Sequence, residues 1–206
     1  MLALDHVILV VADLDAAAAR LEREHGLASI EGGRHPGHGT GNRIVPLGDT
    51  YLELMAVVDP AEAATSPMGR WVAGRAGPET APSAVCLRTD DIDGVASRLG
   101  LAPLEMSRRR PDGVVLSWRL CGLDEAFGDE ALPFFIQWDI PPEHHPGRGV
   151  ARHHVDATGW AWVEIGGDAD ALARRLSDAE LPIRAVGGPP GVRRAAVATG
   201  RGEIVL

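Results

Sequence analysis

Two polar side chains lie inside strongly apolar stretches of the sequence, and their types suit metal binding or proton transfer. His6 lies in the apolar run 4–11, and Glu53 lies in the apolar run 51–58. Burying an unpaired carboxylate is costly, so Glu53 needs a partner or a function. Imidazole and carboxylate groups are two of the usual protein ligands of a divalent metal ion, and a carboxylate can also act as a general base.

Three similar segments indicate which elements hold these residues. An Asp-x-Asp motif followed by Arg-Leu begins at Asp13, Asp91 and Asp168, at successive separations of 78 and 77 residues. Each first Asp is suited to cap the N-terminus of a short amphipathic helix, and Gly26 and Gly100 are suited to end the first two helices. Strand-like runs precede and follow each helix. The pattern therefore predicts an α+β protein built from repeated βαβββ modules.

The repeat also predicts the organisation of the chain. We expect a first module at residues 1–58, a second at 83–140 and a third, degenerate module at 160–206, all within one domain. The connections at 59–82 and 141–159 are rich in Pro, Gly and Ala, which is typical of linkers or of loops at the edge of a cavity. Curved mixed sheets from two modules would then form a cup.

Strand alternation predicts which residues face the inside of this cup. Successive side chains of a strand point to opposite faces, so His6 shares a face with Ile8, and Asp5 points away. By the same rule Glu53 shares a face with Tyr51. We therefore expect His6 and Glu53 to meet on the wall of one cavity.

Several stretches of the sequence resemble those of a known protein superfamily. Residues 4–15, LDHVILVVADLD, resemble the opening of vicinal oxygen chelate proteins, which include glyoxalases, bleomycin-resistance proteins and extradiol dioxygenases. Residues 51–55, YLELM, resemble the closing strand of their first module. The loop 34–42 and the strand 133–139 resemble the glyoxalase-like branch. The resemblance covers nearly the whole chain and implies the glyoxalase/bleomycin resistance/dihydroxybiphenyl dioxygenase-like fold, in which paired modules surround a metal.

In this superfamily the metal ligands come from the first and fourth strands of two modules. His6 and Glu53 match two of these positions, and the repeat places the other two at Ala84, which cannot bind a metal, and at Gln137. The resemblance thus implies that His6, Glu53 and Gln137 hold one divalent ion, either zinc, nickel, manganese or iron. A buried His–Glu pair in an ordinary cavity, with no metal, accounts for the same residues equally well.

Several other residues are candidates for contact with a ligand. His35 and His38 lie on a glycine-rich loop expected at the edge of the cavity, although solvated loop histidines are more common. Asn42 and Arg43 begin the next strand and could hold a carboxylate or carbonyl, or Arg43 could form a surface salt bridge. Trp118 is a candidate for the wall of the cup. By contrast, the run Arg108-Arg109-Arg110 is predicted to be a solvated loop.

Two functions follow from these residues. The first is a glyoxalase-like lyase or isomerase acting on a small oxygenated carbonyl compound, with Glu53 as metal ligand or general base. The second is a protein without catalytic activity that binds or sequesters a small molecule, which the missing ligand at Ala84 favours. Whether the chain is an enzyme stays open. An extradiol dioxygenase ranks last, because Ala84 removes a histidine that such a site needs.

Composition excludes several other functions. The net charge of −9 disfavours nucleic acid and acidic membrane surfaces as partners. No lysine occurs, which rules out Schiff-base chemistry and a phosphate-loop lysine. Residues 37–41 lack the spacing of a dinucleotide fingerprint, so no nucleotide cofactor is expected.

The remaining expectations concern the environment of the protein. Cys86 and Cys121 are expected to be buried and reduced. No basic leader and no apolar run of roughly 20 residues is present, so a cytoplasmic, bacterial-type protein is expected, with no membrane partner. Its partner would be a small-molecule ligand or substrate, and a homodimer is one arrangement that the odd number of repeats leaves open.

Overall fold

The structure is a computed structural model that describes residues 1–77, 81–128 and 131–206. Within those ranges the chain forms 12 strands and six α-helices, arranged in two sheets. Among the described residues, no helix combines the length and the apolar character that crossing a lipid bilayer requires.

The first module has the predicted order of a strand, a helix and three strands. Its elements are β1 (Leu2–Val10), α1 (Leu14–His25), β2 (Ile30–His35), β3 (Thr40–Pro46) and β4 (Tyr51–Val57). Helix α1 begins as expected, because the Asp13 side chain accepts a hydrogen bond of 2.8 Å from the Ala16 backbone N–H. It ends at Gly26, whose φ of 69° is the left-handed conformation that glycine adopts most easily.

The connection after β4 contains two helices. They are α2 (Pro60–Ala63) and α3 (Pro67–Arg75), capped by the side chains of Asp59 and Ser66. The linker predicted at 59–82 is therefore largely helical, and its positions 78–80 lie outside the described residues.

The second module repeats the first with one addition. Its elements are β5 (Pro82–Thr89), α4 (Ile92–Leu99), β6 (Leu104–Arg109), β7 (Val115–Cys121), α5 (Leu123–Phe127) and β8 (Phe134–Trp138). Helix α5 occupies the insertion predicted at 123–132, of which positions 129–130 lie outside the described residues. Arg108 and Arg109 belong to strand β6, which corrects the expectation of a solvated loop.

One curved mixed sheet of eight strands joins the two modules, in the order β2-β3-β4-β1-β5-β8-β7-β6. In each module the first and fourth strands are parallel, and β1 pairs with β5 in antiparallel orientation at the centre. The two edge strands approach each other, because Arg108 of β6 donates a hydrogen bond to the Gly32 carbonyl of β2. The sheet thus nearly closes into a cup, as expected.

The last segment has a different topology from the two modules. Its elements are β9 (Ala157–Gly166), α6 (Ala169–Leu176), β10 (Ile183–Val186), β11 (Gly191–Thr199) and β12 (Gly202–Val205). The sheet order is β10-β9-β11-β12, so its first strand pairs with its second and third strands instead of its fourth. The repeated motif correctly marked helix α6, whose N-terminus Asp168 caps, but the strands after it are arranged differently. Strand β9 also begins inside the stretch assigned to the linker 141–159.

Two apolar cores lie on the two faces of the large sheet. The outer core joins the helical face to the third segment and includes Leu21, Ile92, Trp160, Val163 and Ala195. The inner core fills the cup and includes Ile8, Met55, Trp118, Phe134 and Ile136. Cys86 and Cys121 are buried and free. The third segment therefore covers the outside of the cup and leaves its inside to the two modules.

Candidate functional site

The cup contains a cavity of about 50 Å³, which is several times the space that one water molecule requires. One side of its wall is polar and is formed mostly by the first module. The other side is apolar and is formed mostly by the second module. The polar wall consists of His6, His35, Asn42, Tyr51, Glu53 and Arg108. The apolar wall includes Met106, Trp118, Leu120, Phe134, Ile136 and Trp138.

Glu53 lies at the centre of the polar wall and is only 5% exposed. Its Oε1 accepts a hydrogen bond of 2.5 Å from Asn42 Nδ2, and its Oε2 lies 3.4 Å from His6 Nε2. His35 Nε2 lies 3.9 Å from Oε1. The structure thus brings His6 and Glu53 together, as strand alternation predicted, and adds His35 and Asn42 to them.

Asp5 also belongs to this group, although strand alternation placed it on the opposite face. The pairing of β1 with β5 shifts by one residue between Leu4 and His6, which is a β-bulge at Asp5. The bulge breaks the alternation locally. Asp5 Oδ1 therefore lies 2.7 Å from His6 Nδ1 inside the protein, and Asp5 is fully buried.

A chain of hydrogen bonds holds the Asp5 carboxylate. Its Oδ2 accepts from Trp138 Nε1 at 3.1 Å and from His145 Nε2 at 3.0 Å. The Gly147 backbone N–H donates to His145 Nδ1, so the His145 proton is on Nε2 and points at Asp5. Burial opposes the charged form of Asp5, but the hydrogen bonds from His145 and His6 outweigh it and hold the pKa of this carboxyl below its usual value.

This arrangement fixes how His6 is presented to the cavity. Because ionised Asp5 can only accept, His6 donates from Nδ1, and Nε2 is the nitrogen that faces Glu53. The ring also stacks on Tyr51, with a centroid distance of 4.4 Å. The single atom through which His6 can exchange a proton or bind a ligand is therefore Nε2, next to Glu53 Oε2.

His35 is neutral in this environment. Burial lowers its pKa to about 4, and the nearby positive charge of Arg108 adds to that effect against the attraction of Glu53. His35 Nδ1 forms a hydrogen bond of 3.0 Å with the Thr40 hydroxyl, so His35 Nε2 is the nitrogen that faces Glu53.

We expect this buried neutral histidine to make the stability depend on pH. Its pKa in the folded chain lies below the value of about 6.5 in an unfolded chain, so the unfolded chain binds the proton more readily. The free energy of unfolding should fall by up to about 3 kcal/mol as the pH falls from 6.5 to 4. Urea unfolding across this range measures it. His35→Asn should flatten this slope, and exposed His154→Gln should keep it; equal slopes in all three proteins would contradict the assignment.

The structure places the other predicted ligand-contact residues in different ways. Trp118 lines the apolar wall, as expected. His38 lies outside the cup and lines a neighbouring cavity. The loop that carries it packs tightly on α2, because a Cβ on Gly39 would lie 2.2 Å from the Ala63 nitrogen. Arg43 points to the helical face, where it contacts Asp15 at 3.0 Å, which is the salt bridge named as the alternative.

The expectation for Gln137 is corrected by the structure. Gln137 Oε1 accepts a hydrogen bond of 2.9 Å from the Ile92 backbone N–H, at the start of helix α4 on the outer face of the sheet. Ile8 pairs with Glu53 in the first module, and Cys86, 78 residues after Ile8, pairs with Phe134 in the second. The residue equivalent to Glu53 is therefore Phe134, since the insertion before β8 is shorter than assumed.

The positions of His6, Glu53 and their equivalents in the second module show whether these residues could form a metal site. The 3.4 Å between His6 Nε2 and Glu53 Oε2 suits two ligands of one ion. The second module, however, offers Ala84 and Phe134 at the equivalent positions, and His35 faces the other oxygen of Glu53. Catalytic zinc sites use three protein ligands, so the described part of the chain supplies too few around one point.

A second group of ligand atoms lies behind this pair. One atom each of Asp5, His6 and Cys86 lies within 4.8 Å of the others. Burial, together with the charges of Asp5 and Glu53, raises the pKa of the Cys86 thiol well above its usual value, whereas metals bind the thiolate. Asp5 already accepts hydrogen bonds from three side chains. The residues present therefore do not fit the metal centre that the superfamily resemblance implies.

We accordingly expect the purified, dialysed protein to retain well below one divalent ion per chain. Elemental analysis by mass spectrometry measures the content, and His6→Ala should not change it. Exposed His154→Ala is the matched control. A content near one ion per chain that is lost only in His6→Ala would show that the pair does hold a metal.

Arg108 is a cavity residue that the sequence reasoning missed. It is 4% exposed and lines the cup together with Glu53 and Tyr51. Strand alternation could have identified it. Arg108 lies two residues after Met106, which also lines the cavity, so a strand at 104–109 places both side chains on one face.

Comparison with known proteins agrees with this fold. A family model described as a glyoxalase-like domain matches residues 4–180. No curated protein sequence matches the chain at a significant level. A solved structure described as a hypothetical protein from Staphylococcus aureus is similar, with a TM-score of 0.71 and 17% identity over 93% of this chain and 88% of that chain.

Two epimerase structures are more distant. The methylmalonyl-CoA epimerase from Mycobacterium tuberculosis has a TM-score of 0.48 and 22% identity, over 68% of this chain and 89% of that one. A Streptomyces coelicolor methylmalonyl-CoA epimerase variant has a TM-score of 0.48 and 18% identity, over 67% of this chain and 98% of that one. The Staphylococcus structure supports the fold, and the family model covers most of the chain. The chain therefore belongs to the glyoxalase-like domain family of the vicinal oxygen chelate superfamily.

Proposed function

We propose that the protein is a glyoxalase-like isomerase or lyase that moves a proton at a carbon next to a carbonyl group, with Glu53 as the general base. The observation that carries this proposal is the buried Glu53 carboxylate on the cavity wall, held by Asn42 at one oxygen and facing His6 Nε2 at the other. A positioned carboxylate of this kind is suited to accept a proton from carbon.

The residues around Glu53 have distinct parts in the proposed reaction. The substrate C–H bond breaks, its proton passes to Glu53, and its electron pair moves toward the carbonyl oxygen. Glu53 then returns the proton to a neighbouring atom of the substrate, or, in a lyase, to the group that departs with its bonding electrons as the electron pair of the enolate forms a new double bond. Asp5 fixes the His6 ring, so that His6 Nε2 stays beside Glu53 Oε2. The apolar wall excludes water and strengthens these electrostatic interactions.

The proposed chemistry has a direct test that needs no knowledge of the natural substrate. Small 2-oxo acids and hydroxyketones are incubated with the protein in D₂O, and exchange of the protons next to the carbonyl is followed by NMR. Exchange faster than in buffer supports the proposal. Absence of protein-dependent exchange across the panel would rule out Glu53 as a general base for this class of compounds.

Sequestration of a small molecule is the second candidate function. The second module supports it, because it has Phe134 on the cavity wall and Ala84 in the inner core where metal-dependent relatives in the superfamily carry ligands. Thermal-shift screening distinguishes the two functions. Stabilisation by organic compounds that show no proton exchange would favour sequestration over catalysis.

A further inference from the structure

Arg108 is a buried cation whose charge has no close partner in the described part of the chain. It is only 4% exposed, and no Asp or Glu oxygen of the described residues lies within 4.0 Å of its guanidinium. Within residues 1–77, 81–128 and 131–206, its one hydrogen bond goes from Nη1 to the Gly32 carbonyl. A guanidinium has five N–H donors, so most of its binding capacity is left for another group.

The position of Arg108 shows where such a group would lie. Its side chain lines the cup together with Glu53, and it also lines an outer cavity of about 250 Å³ with Arg110 and Arg148. Arg110 and Arg148 are already paired, with Asp112 and Asp49. Among the residues that the structure describes, Arg108 is therefore the cation in this region that is available to the interior of the cup.

Burial of an unpaired cation is unfavourable unless a bound anion offsets the loss of hydration. A charge removed from water without a paired charge is unfavourable, and the burial lowers the pKa of the Arg108 guanidinium. Glu53 and Tyr51 on the same wall offset part of that effect. The protein as a whole carries a net charge of −9, so general attraction does not bring anions into the cup. Recognition of an anion there depends on Arg108 itself.

We propose that Arg108 anchors the ligand of this cup, and that the ligand is a small carboxylate whose proton-bearing carbon, next to a carbonyl group, faces Glu53. A carboxylate matches the planar fork of a guanidinium and forms two parallel hydrogen bonds with it. The rest of the ligand packs on the apolar wall, which includes Trp118 and Phe134. The carbonyl group of the ligand is inferred from the proposed function, whereas its carboxylate is inferred from Arg108 alone.

The test compares acids with their uncharged amides. 2-Oxobutanoate, 2-oxohexanoate and phenylpyruvate, each with its amide, are titrated into the full-length protein, with tryptophan fluorescence or ligand-observed NMR as readout. We expect at least one acid to bind about tenfold or more tightly than its amide. In Arg108→Met this ratio should fall to about one. Binding of no acid more tightly than its amide, or tighter binding of inorganic phosphate, would overturn the proposal.

Arg108 also bridges two sheet edges through Gly32, so its variants need controls for folding. Arg109→Met changes the next residue of the same strand, which is exposed, and should keep the wild-type ratio of affinities. Arg108→Lys keeps the charge but loses the planar fork of the guanidinium, so its ratio of affinities is expected to be intermediate. It replaces Arg108→Met in the test if that variant does not fold. A purely structural role would lower the melting temperature without changing the ratio, and that result would also overturn the proposal.

The same samples separate this inference from the proposed function. Exchange of the C3 protons of 2-oxobutanoate in D₂O is measured alongside binding. Selectivity for the acid without exchange would support the role of Arg108 and contradict proton transfer. Exchange with equal KM for acid and amide would support proton transfer and contradict the role of Arg108.

Discussion

Glu53→Gln is expected to slow exchange of protons next to a carbonyl by a factor of roughly 10² to 10⁴, the usual contribution of a general base. Gln has nearly the same shape as Glu, so the cavity wall stays filled, but an amide accepts protons far more weakly than a carboxylate. Ligand affinity should change much less than the rate, because proton transfer is lost and the binding walls are kept. NMR exchange rates and Kd values from the same ligand measure the two effects separately.

A matched control excludes a general effect of removing charge. Glu105→Gln makes the same chemical change on an exposed position of β6, outside the cavity, and is expected to keep the wild-type rate. Equal exchange rates in Glu53→Gln and wild type would show that another group is the base.

Asp5→Asn is expected to lower the free energy of unfolding by about 3–5 kcal/mol, the usual cost of removing one partner of a buried charged pair. Asp5 accepts from His6, His145 and Trp138, and an amide can serve these donors with one oxygen only. A typical domain is stable by about 5–15 kcal/mol, so this loss is a large fraction of the total. Urea unfolding at neutral pH measures it.

The same variant should change how stability depends on acid. The pKa of Asp5 is lower in the folded chain than the value of about 3.9 in an unfolded chain. Asp5 therefore contributes its full stabilisation above pH 4, and the contribution is lost as the pH falls below that value. This window lies below that of His35. Exposed Asp178→Asn should retain the wild-type acid dependence, and its retention in Asp5→Asn would contradict the role assigned to the buried carboxylate.

The sequence predicted the cup because its signals are local and repeated. Helices α1, α4 and α6 begin directly after Asp13, Asp91 and Asp168, and each of these side chains caps its helix as expected. His6 and Glu53 were found because polar residues inside apolar strands are conspicuous. Pairing of strands is not local, and the third segment shows it: the same strand–helix beginning continues into a sheet with a different order.

The errors at the site arose from register. Asp5 was assigned to the wrong face because a bulge of one residue interrupts alternation, and a single sequence gives no sign of it. Gln137 was assigned to the cavity because the length of the insertion before β8 was overestimated, and a slip of one residue reverses the face. Arg108 was missed because three successive arginines are typical of a solvated surface, although one of them lies on the inward face of β6.

The division of the cup into one polar wall and one apolar wall has a stereochemical consequence. Every described carboxylate and imidazole that lines the cavity, namely His6, His35 and Glu53, belongs to the first module. A planar enolate held between the walls is therefore approached by a base from one side only, while aromatic and aliphatic groups such as Phe134 and Trp118 cover the other. If Glu53 is the base, as proposed above, it removes and returns the proton on the same face of that enolate. The proposed proton shift between neighbouring carbons would then be suprafacial, whereas inversion at one carbon would require a second acid on the opposite wall.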